Sequence, residues 1–206
     1  MKTLGVLAQK GGAGKTTLAV HLAVLAGAVL IDTDPQESAA DWGRARESDT
    51  PPVVSASADK LPEVLAAARE DGHAWAIADT APHAADDVRK VAALCDLVMI
   101  PCRPGILDLR AIGKTVEIVR TLHTPAIVVL NACPPATKRG EGSLVREARI
   151  ALAGYGLPVA KVTITQRAAL SHALIDGRAV TEFEPKGAAA DELRALWKLL
   201  QGEMKR

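Results

Sequence analysis

Residues 9–17, Gln-Lys-Gly-Gly-Ala-Gly-Lys-Thr-Thr, have the residue types of a loop that binds phosphate. Three glycines allow the left-handed backbone and the close approach that such a loop needs, and a Cβ would obstruct both. The free N–H groups of the loop and of a following helical turn then point at the anion. Lys15 can place an ammonium on the outer phosphates, and Thr16 can offer its hydroxyl to Mg²⁺. The stretch therefore predicts a binding site for a nucleotide polyphosphate.

Carboxylates follow two apolar runs further along the chain. Residues 28–31 lead into Asp32 and Asp34, and residues 75–78 lead into Asp79. Ligands of an open α/β sheet lie at the carboxyl ends of its strands, so these side chains are placed for chemistry beside a triphosphate and Mg²⁺. A second interpretation stays open for Asp32 and Asp34, because an Asp before Pro is a common start of a helix. For Asp34 both roles can hold together.

Alternating strands and helices must position these residues. Strands are predicted at residues 4–8, 28–31, 53–54, 75–78, 97–100 and 126–130, with an extended stretch at 159–164. Helices are predicted at residues 18–26, 38–46, 59–71, 86–94, 109–122, 143–153 and 188–204, with another after residue 167. This order predicts an α/β fold, a single domain over residues 1–206 with a mostly parallel twisted sheet and helices on both faces.

Composition agrees with one nucleotide-binding domain. The chain has 206 residues, of which 49% are hydrophobic and 2% aromatic, and its net charge is +1. The scarcity of aromatic residues argues against stacking on single-stranded nucleic acid. Residues 131–206 carry 12 basic against 8 acidic residues, so a surface for an anionic polymer is expected there. Three cysteines without metal-site spacing, no signal peptide and no long apolar run predict a cytoplasmic protein that does not cross a membrane.

Three motifs resemble those of the ParA/MinD family of P-loop ATPases. Residues 10–17 resemble the family's deviant P-loop, K-G-G-x-G-K-[ST], whereas the first glycine of the common P-loop would fall at Gln9. Residues 32–36 resemble its D-x-D-P-Q segment, and residues 79–82 resemble its D-T-P-P segment with Ala81 in place of the first proline. The resemblance covers essentially the whole chain and is nearest to the short, ParF-like partition ATPases. It implies a single-domain P-loop NTPase fold.

The resemblance also implies roles for individual residues. Lys10 would reach across a two-fold interface to the ATP of a second subunit, Lys15 would bind the phosphates, and Asp34 would position or activate the attacking water. Mg²⁺ would be held by Thr16, Asp32 and Asp79. The contacts to the nucleotide would be Lys10, Gly11, Gly12, Ala13, Gly14, Lys15, Thr16 and Thr17, with Asn131 at the adenine ring.

Two further segments have two interpretations each. Residues 101–108 resemble the family's P-x-x-P-S-x-x-D segment, with Gly105 replacing the serine. They are expected at the dimer face or the adenine side, or as a proline-rigidified turn capped by Asp108. The helix at 188–204 is basic and amphipathic, so it predicts either the last core helix or a helix that lies on a membrane surface. We favour packing, because its apolar stripe is the one expected of a core helix.

The function implied by the resemblance is ATP-dependent DNA partition. ATP, bound with Mg²⁺, would favour a homodimer that binds double-stranded DNA non-specifically, and hydrolysis would reset it. A ParB- or ParG-type adaptor would stimulate hydrolysis, and the protein would associate with the nucleoid. The DNA contacts would come from basic residues of the C-terminal third, with Arg167 first by resemblance. The candidates are Lys138, Arg139, Arg146, Arg149, Lys161, Arg167, Arg178 and Lys186.

Two alternatives stay open. The same ATPase switch can position a non-DNA cargo, such as a carboxysome or a chemoreceptor cluster. The fold also serves ATP-dependent biosynthetic enzymes of the dethiobiotin-synthetase or cobyrinate-amidase kind. Lys10 and residues 34–36 favour the partition ATPase over a biosynthetic enzyme.

Overall fold

Six parallel strands form one sheet in the computed structural model, which describes residues 1–82, 85–138 and 140–205. The strands are β1 (Lys2–Val6), β2 (Val29–Asp32), β3 (Val53–Ser55), β4 (Trp75–Asp79), β5 (Leu97–Cys102) and β6 (Ala126–Leu130). Their order across the sheet is β3-β2-β4-β1-β5-β6, and every pairing is parallel. The predicted α/β fold class is therefore confirmed.

Ten α-helices connect and cover the strands within the described residues. They are α1 (Lys15–Ala26), α2 (Ser38–Ala45), α3 (Leu61–Glu70), α4 (Ala85–Ala93), α5 (Ile106–Ala111), α6 (Gly113–Thr121), α7 (Ser143–Ala153), α8 (Ala168–His172), α9 (Val180–Phe183) and α10 (Ala188–Glu203). Short 3₁₀ helices lie at Ala58–Lys60 and Ala173–Asp176. Helices α3, α4, α6 and α7 build an apolar core on one face of the sheet, and α1, α2 and α10 build a second core on the other face. All residues of β5 and β6 are buried, as expected for parallel strands that are covered on both sides.

Helix α10 packs against the sheet along its predicted apolar stripe. Leu193, Leu196 and Leu200 are fully buried, and the ring of Trp197 meets that of Trp75 edge to face with centroids 5.0 Å apart. The packing interpretation of this helix is therefore confirmed. No helix of the described residues combines the length and the apolar character that a membrane crossing requires.

Most predicted elements are found with shifted ends, such as β1 at Lys2–Val6 instead of residues 4–8, and two differ more strongly. The helix predicted at 109–122 starts earlier, at Ile106, and is divided at Ile112 into α5 and α6. The stretch 159–164 makes only isolated bridges to the sheet instead of a strand. The guanidinium of Arg149 donates to the carbonyls of Ala160 (2.7 Å) and Lys161 (2.9 Å), so both carbonyls have a partner although no strand forms here beside β6.

Candidate functional site

The glycine-rich loop lies between β1 and α1, at the carboxyl edge of the sheet. Gly12 and Gly14 have φ angles of 75° and 90°, a left-handed conformation that a residue with a Cβ rarely adopts. Helix α1 begins at Lys15, directly after Gly14, and its first turn contains no acidic side chain. The unpaired N–H groups of this turn and the positive end of the helix dipole therefore meet at the loop. The arrangement is suited to a phosphate group.

Lys15 is held inside the site and not in solvent. The residue is only 6% exposed, and burial lowers the pKa of its ammonium. The carboxylates of Asp79 and Asp34 act in the opposite direction, because each raises the pKa of Lys15. The structure thus brings together three of the predicted residues, one from α1, one from the end of β4 and one after β2.

Asp79 is the most strongly perturbed acid of the site. Its pKa is raised to about 7, chiefly by burial and also by the nearby carboxylate of Asp32, whereas the side chain of Thr16, the ammonium of Lys15 and the N–H of Thr80 act to lower it. The oxygen Oδ1 accepts the N–H of Thr80 at 3.0 Å, while Oδ2 is buried with no hydrogen-bond partner among the described residues. A buried carboxylate oxygen without a partner needs a cation or a water.

The residues present fit a magnesium site. The Thr16 hydroxyl is a hard oxygen donor, and the unpartnered Oδ2 of Asp79 can accept a hydrogen bond from a metal-bound water. Among the residues that the structure describes, no cluster of three His, Cys, Asp or Glu side chains is placed to hold a metal by itself. An ion at this site would therefore take its other ligands from phosphate oxygens and water, as Mg²⁺ usually does.

Asp32 binds the backbone of the segment that follows it. Its Oδ1 accepts the N–H of Asp34 at 3.0 Å, and its Oδ2 accepts those of Ala39 at 2.9 Å and Ala40 at 3.0 Å. The helix-start interpretation therefore holds for Asp32, which fixes the first turn of α2. Its predicted place in the water shell of the metal stays a prediction. Asp34 is near enough to raise the pKa of Lys15, and its Oδ1 accepts the N–H of Gln36 at 2.9 Å, before α2 begins at Ser38. Its two predicted roles therefore stay predictions.

Lys10 forms an ion pair that sequence reasoning missed. Its ammonium lies 2.8 Å from Oδ1 of Asp108, with side-chain exposures of 35% for the lysine and 17% for the acid. Asp108 lies on α5, so the segment 101–108 meets the loop through this pair. The resemblance placed Asp108 near the dimer face or the adenine side, but no spacing in the sequence signals a contact with Lys10.

Asn131 also contacts the loop directly. Its side-chain Nδ2 donates to the carbonyl of Ala13 at 2.8 Å, and the residue is buried. The predicted contact to adenine is not tested by this geometry. The hydrogen bond to the loop is a second role that the sequence did not indicate.

The basic residues predicted to bind DNA differ in their availability. Arg167 pairs with Glu192 at 3.0 Å, and Arg178 pairs with Asp176 at 2.6 Å and lies over the ring of Phe183. Lys138 is exposed, and Arg139 lies outside the described residues. Charge that is already neutralised within the chain contributes less to phosphate binding, so the structure favours Lys138 over the two paired arginines.

Comparison with known proteins gives the family. The model of the CobQ/CobB/MinD/ParA nucleotide binding domain matches residues 4–180. The chain is 28% identical over 211 residues to maintenance of carboxysome distribution protein A of Halothiobacillus neapolitanus, covering 94% of each chain. It is 31% identical over 199 residues to the protein of the same name from Gloeobacter kilaueensis, covering 93% of this chain and 89% of that protein.

Solved structures show the same fold at lower sequence identity. The structure of Cyanthece apo McdA superposes with a TM-score of 0.78 at 17% identity, covering 97% of this chain and 99% of that one. The cell division ATPase MinD of Pyrococcus furiosus gives a TM-score of 0.74 at 19% identity, with 98% of each chain covered. The predicted ATPase identity, with ATP and Mg²⁺ as ligands, is confirmed at the level of the family. The chain belongs to the CobQ/CobB/MinD/ParA nucleotide-binding domain family, as its resemblance to ParA and MinD ATPases predicted.

Proposed function

We propose that this protein is an ATP-driven switch that positions a protein assembly in the cell, with a carboxysome as the first candidate cargo. The observation that carries the proposal is the similarity over nearly the whole chain to two proteins named for maintenance of carboxysome distribution. These relatives support the alternative of a non-DNA cargo better than the leading prediction of plasmid partition.

Hydrolysis would take place at the carboxyl edge of β1, β2 and β4. The N–H groups of residues 11–17 would hold the phosphates, with the Lys15 ammonium on the outer ones. Thr16 and Asp79 would hold Mg²⁺, which when bound neutralises charge that develops on the phosphate oxygens. Asp34, which is close enough to raise the pKa of Lys15, would orient the attacking water.

Lys10 would connect ATP to a second copy of the chain. Its pair with Asp108 is partly exposed, so breaking it costs at most about 1 kcal/mol. A triphosphate on a second subunit carries more charge than one carboxylate and can therefore compete for this ammonium. We propose that ATP favours a homodimer in this way, and that loss of the γ-phosphate loosens it.

The ATP-bound dimer would bind double-stranded DNA non-specifically, and the nucleoid would then be the surface along which it moves. A dimer presents twice as many basic residues and so doubles the number of phosphate contacts, which would raise DNA affinity steeply when ATP is bound. Lys138 is the first candidate because it is exposed, and Arg139 is its neighbour. An adaptor that carries the cargo and stimulates hydrolysis would then release the dimer from the nucleoid.

The first test measures dimer formation by light scattering and DNA binding by fluorescence anisotropy, with ATP·Mg²⁺, with ADP and without nucleotide. Wild type is expected to form dimers and bind DNA only with ATP, and Lys10→Ala is expected to do neither. Lys60→Ala is a matched control, because Lys60 also pairs with one acid but lies on the surface. DNA affinity that is equal in ATP and ADP would contradict the switch.

The second test identifies the cargo. Asp34→Ala is expected to bind ATP and dimerise but not hydrolyse, so it should hold its adaptor in a stable complex. Capture of a protein that binds the shell of a cellular assembly would support the proposal. Capture of a protein that binds a centromere-like DNA site would instead establish plasmid partition.

A further inference from the structure

The side chain of Asn131 closes a contact between the end of β6 and the phosphate-binding loop. The residue follows the last position of β6, and its own N–H donates to the carbonyl of Cys102 at 2.8 Å. Its amide Nδ2 donates to the carbonyl of Ala13 at 2.8 Å, and only 7% of the residue is exposed. The next residue, Ala132, has a φ angle of 51°, a left-handed conformation that is unfavourable for alanine. Strained backbone of this kind persists where the surroundings fix it, often at functional sites.

The bond to Ala13 fixes the orientation of a whole peptide group. The carbonyl of Ala13 and the N–H of Gly14 belong to the same planar trans peptide, in which they point in opposite directions. A donor that holds the carbonyl on the outer side of the loop therefore directs the N–H of Gly14 to the other side. In a phosphate cradle that N–H must face the anion. Without Asn131, the buried carbonyl would lose its partner and the peptide could rotate.

Gly14 shows how closely the amide and the loop are packed. A Cβ built on Gly14 would lie 2.2 Å from Nδ2 of Asn131, well inside van der Waals contact. Together with its φ angle of 90°, this contact gives Gly14 a second reason to be glycine. The amide therefore fits against the loop in shape as well as by its hydrogen bond.

We propose that Asn131 is a positioning residue for the phosphates, acting through the Ala13–Gly14 peptide and not only through the base of the nucleotide. This inference rests on the proposed function only in placing a nucleotide at residues 10–17. It assigns to Asn131 a role that needs no adenine at all. Loss of Asn131 then weakens any ligand that places a phosphate in the loop.

The test compares ATP, which has a nucleobase, with tripolyphosphate, which has none. Binding of ATP·Mg²⁺ and of inorganic tripolyphosphate·Mg²⁺ is measured by calorimetry for wild type, Asn131→Ala and Asn131→Leu. Leucine has nearly the shape of asparagine but donates no hydrogen bond. Both variants are expected to lose affinity for tripolyphosphate about tenfold, since one buried carbonyl loses its partner, and to lose affinity for ATP by at least the same factor.

A matched control shows whether loss of any hydrogen bond near β6 weakens ligand binding. Thr124→Val removes the hydrogen bond from Oγ1 of Thr124 to the carbonyl of Ala92, 3.1 Å long, at the opposite end of β6. This variant is expected to bind both ligands as wild type does. Thermal unfolding of each variant identifies any that does not fold, in which case Asn131→Leu replaces Asn131→Ala.

A direct readout follows the amide proton of Gly14 by NMR. Tripolyphosphate is expected to shift this resonance downfield in wild type and much less in Asn131→Leu. The inference is overturned if the variants lose affinity for ATP alone, or if Asn131→Leu binds both ligands like wild type. If wild type binds neither ligand, the nucleotide site itself fails, and with it the proposed function.

Discussion

Two regions of the molecule hold polar residues in place by different means. At the phosphate edge, the aspartates accept N–H groups that lie close to them in the sequence, and two long-range contacts, Lys10–Asp108 and Asn131–Ala13, complete the edge. The segment of residues 159–187, after the last strand, is built from contacts between residues far apart in the sequence. In the first region Asp32 accepts N–H groups that lie at most eight positions away. In the second, His21 contacts Leu170, 149 positions away, and Arg46 contacts Glu182, 136 positions away.

The two regions also differ in the role of their charged side chains. At the phosphate edge these side chains are available to a ligand, whereas in the later segment they form ion pairs that stabilise the fold. At the phosphate edge, one oxygen of Asp79 is buried without a hydrogen-bond partner among the described residues, and burial lowers the pKa of the Lys15 ammonium. In the later segment, Glu182, Arg167 and Arg178 each have a partner of opposite charge, although Nε of Arg167 is buried without a hydrogen-bond partner among the described residues. An unpartnered carboxylate oxygen beside a phosphate-binding loop is suited to a ligand, whereas charges that are paired within the chain mainly support the fold.

Removing Lys15 should give the largest effect, because nothing in the chain can replace its charge. Lys15→Ala is expected to lower ATP turnover by about 10²–10³, the usual cost of losing a positioned electrostatic contact. Phosphate release measured at saturating ATP checks this. The exposed pair partner Lys60, changed to Ala, should leave turnover unchanged. Near-normal turnover of Lys15→Ala would place the chemistry elsewhere.

His21 connects the two regions and should make stability depend on pH. It lies on α1, where its Nε2 is 3.0 Å from the carbonyl of Leu170 and its Nδ1 accepts the N–H of Val180 at 3.2 Å. Burial lowers its pKa to about 4, chiefly because it disfavours the charged ring. The unfolded chain then binds a proton below pH 6.5 that the folded chain does not bind until about pH 4.

Because the unfolded chain takes up this proton at a higher pH than the folded chain, stability decreases as the pH falls. The stabilising contribution of His21 is complete above pH 6.5 and is lost as the pH falls to about 4, by up to about 3 kcal/mol. His21→Gln retains a donor and an acceptor but does not titrate. Urea unfolding at several pH values should show a steeper acid loss for wild type than for His21→Gln. Parallel curves would show that His21 does not control the later segment.

Arg46 should be the strongest single ion-pair contact of the later segment. Its side chain is 7% exposed, donates to the carbonyl of Gly177 at 2.8 Å and pairs with Glu182 at 2.6 Å. Because Glu182 is about a third exposed, solvent screening reduces the expected loss for Arg46→Met to about 2 kcal/mol. Arg44→Met, on the exposed face of α2, should have a much smaller effect on stability, because its ion pairs with Glu37 and Asp41 lie in solvent.

Chemical unfolding measures both variants, and ATP turnover below the unfolding temperature should be unchanged in each. Such a result would show that this segment supports the fold without acting on the nucleotide. A fall in turnover for Arg46→Met, with the protein still folded, would contradict the separation of the two regions.

The same separation explains what the sequence alone could predict. The loop at residues 9–17 and the aspartates at the ends of β2 and β4 were recognisable, because their geometry is set by neighbours in the chain. The pairs Lys10–Asp108 and Asn131–Ala13 were not, since each joins residues that only the folded sheet brings together. The partner of Arg167, Glu192, was hidden for the same reason, so its charge seemed free for DNA. Arg149 and Arg178 instead pair with acids only eight and two positions away, Glu141 and Asp176, so these two pairs were open to prediction from the sequence.

The smallest effect that we predict is on the affinity for DNA. It distinguishes an exposed basic residue from one that forms an ion pair within the chain. Lys138→Ala removes an exposed cation and should reduce the salt dependence of DNA affinity by about 0.9 per subunit in the slope of log K against log salt. Arg167→Ala should leave this slope unchanged and instead lower the melting temperature, since Arg167 pairs with Glu192 and its Nε is buried. Anisotropy titrations with ATP at several salt concentrations measure both slopes. If Arg167→Ala changes the slope and Lys138→Ala does not, the Glu192 pair must open when the dimer binds DNA, and the later segment would then be a binding surface as well as a support for the fold.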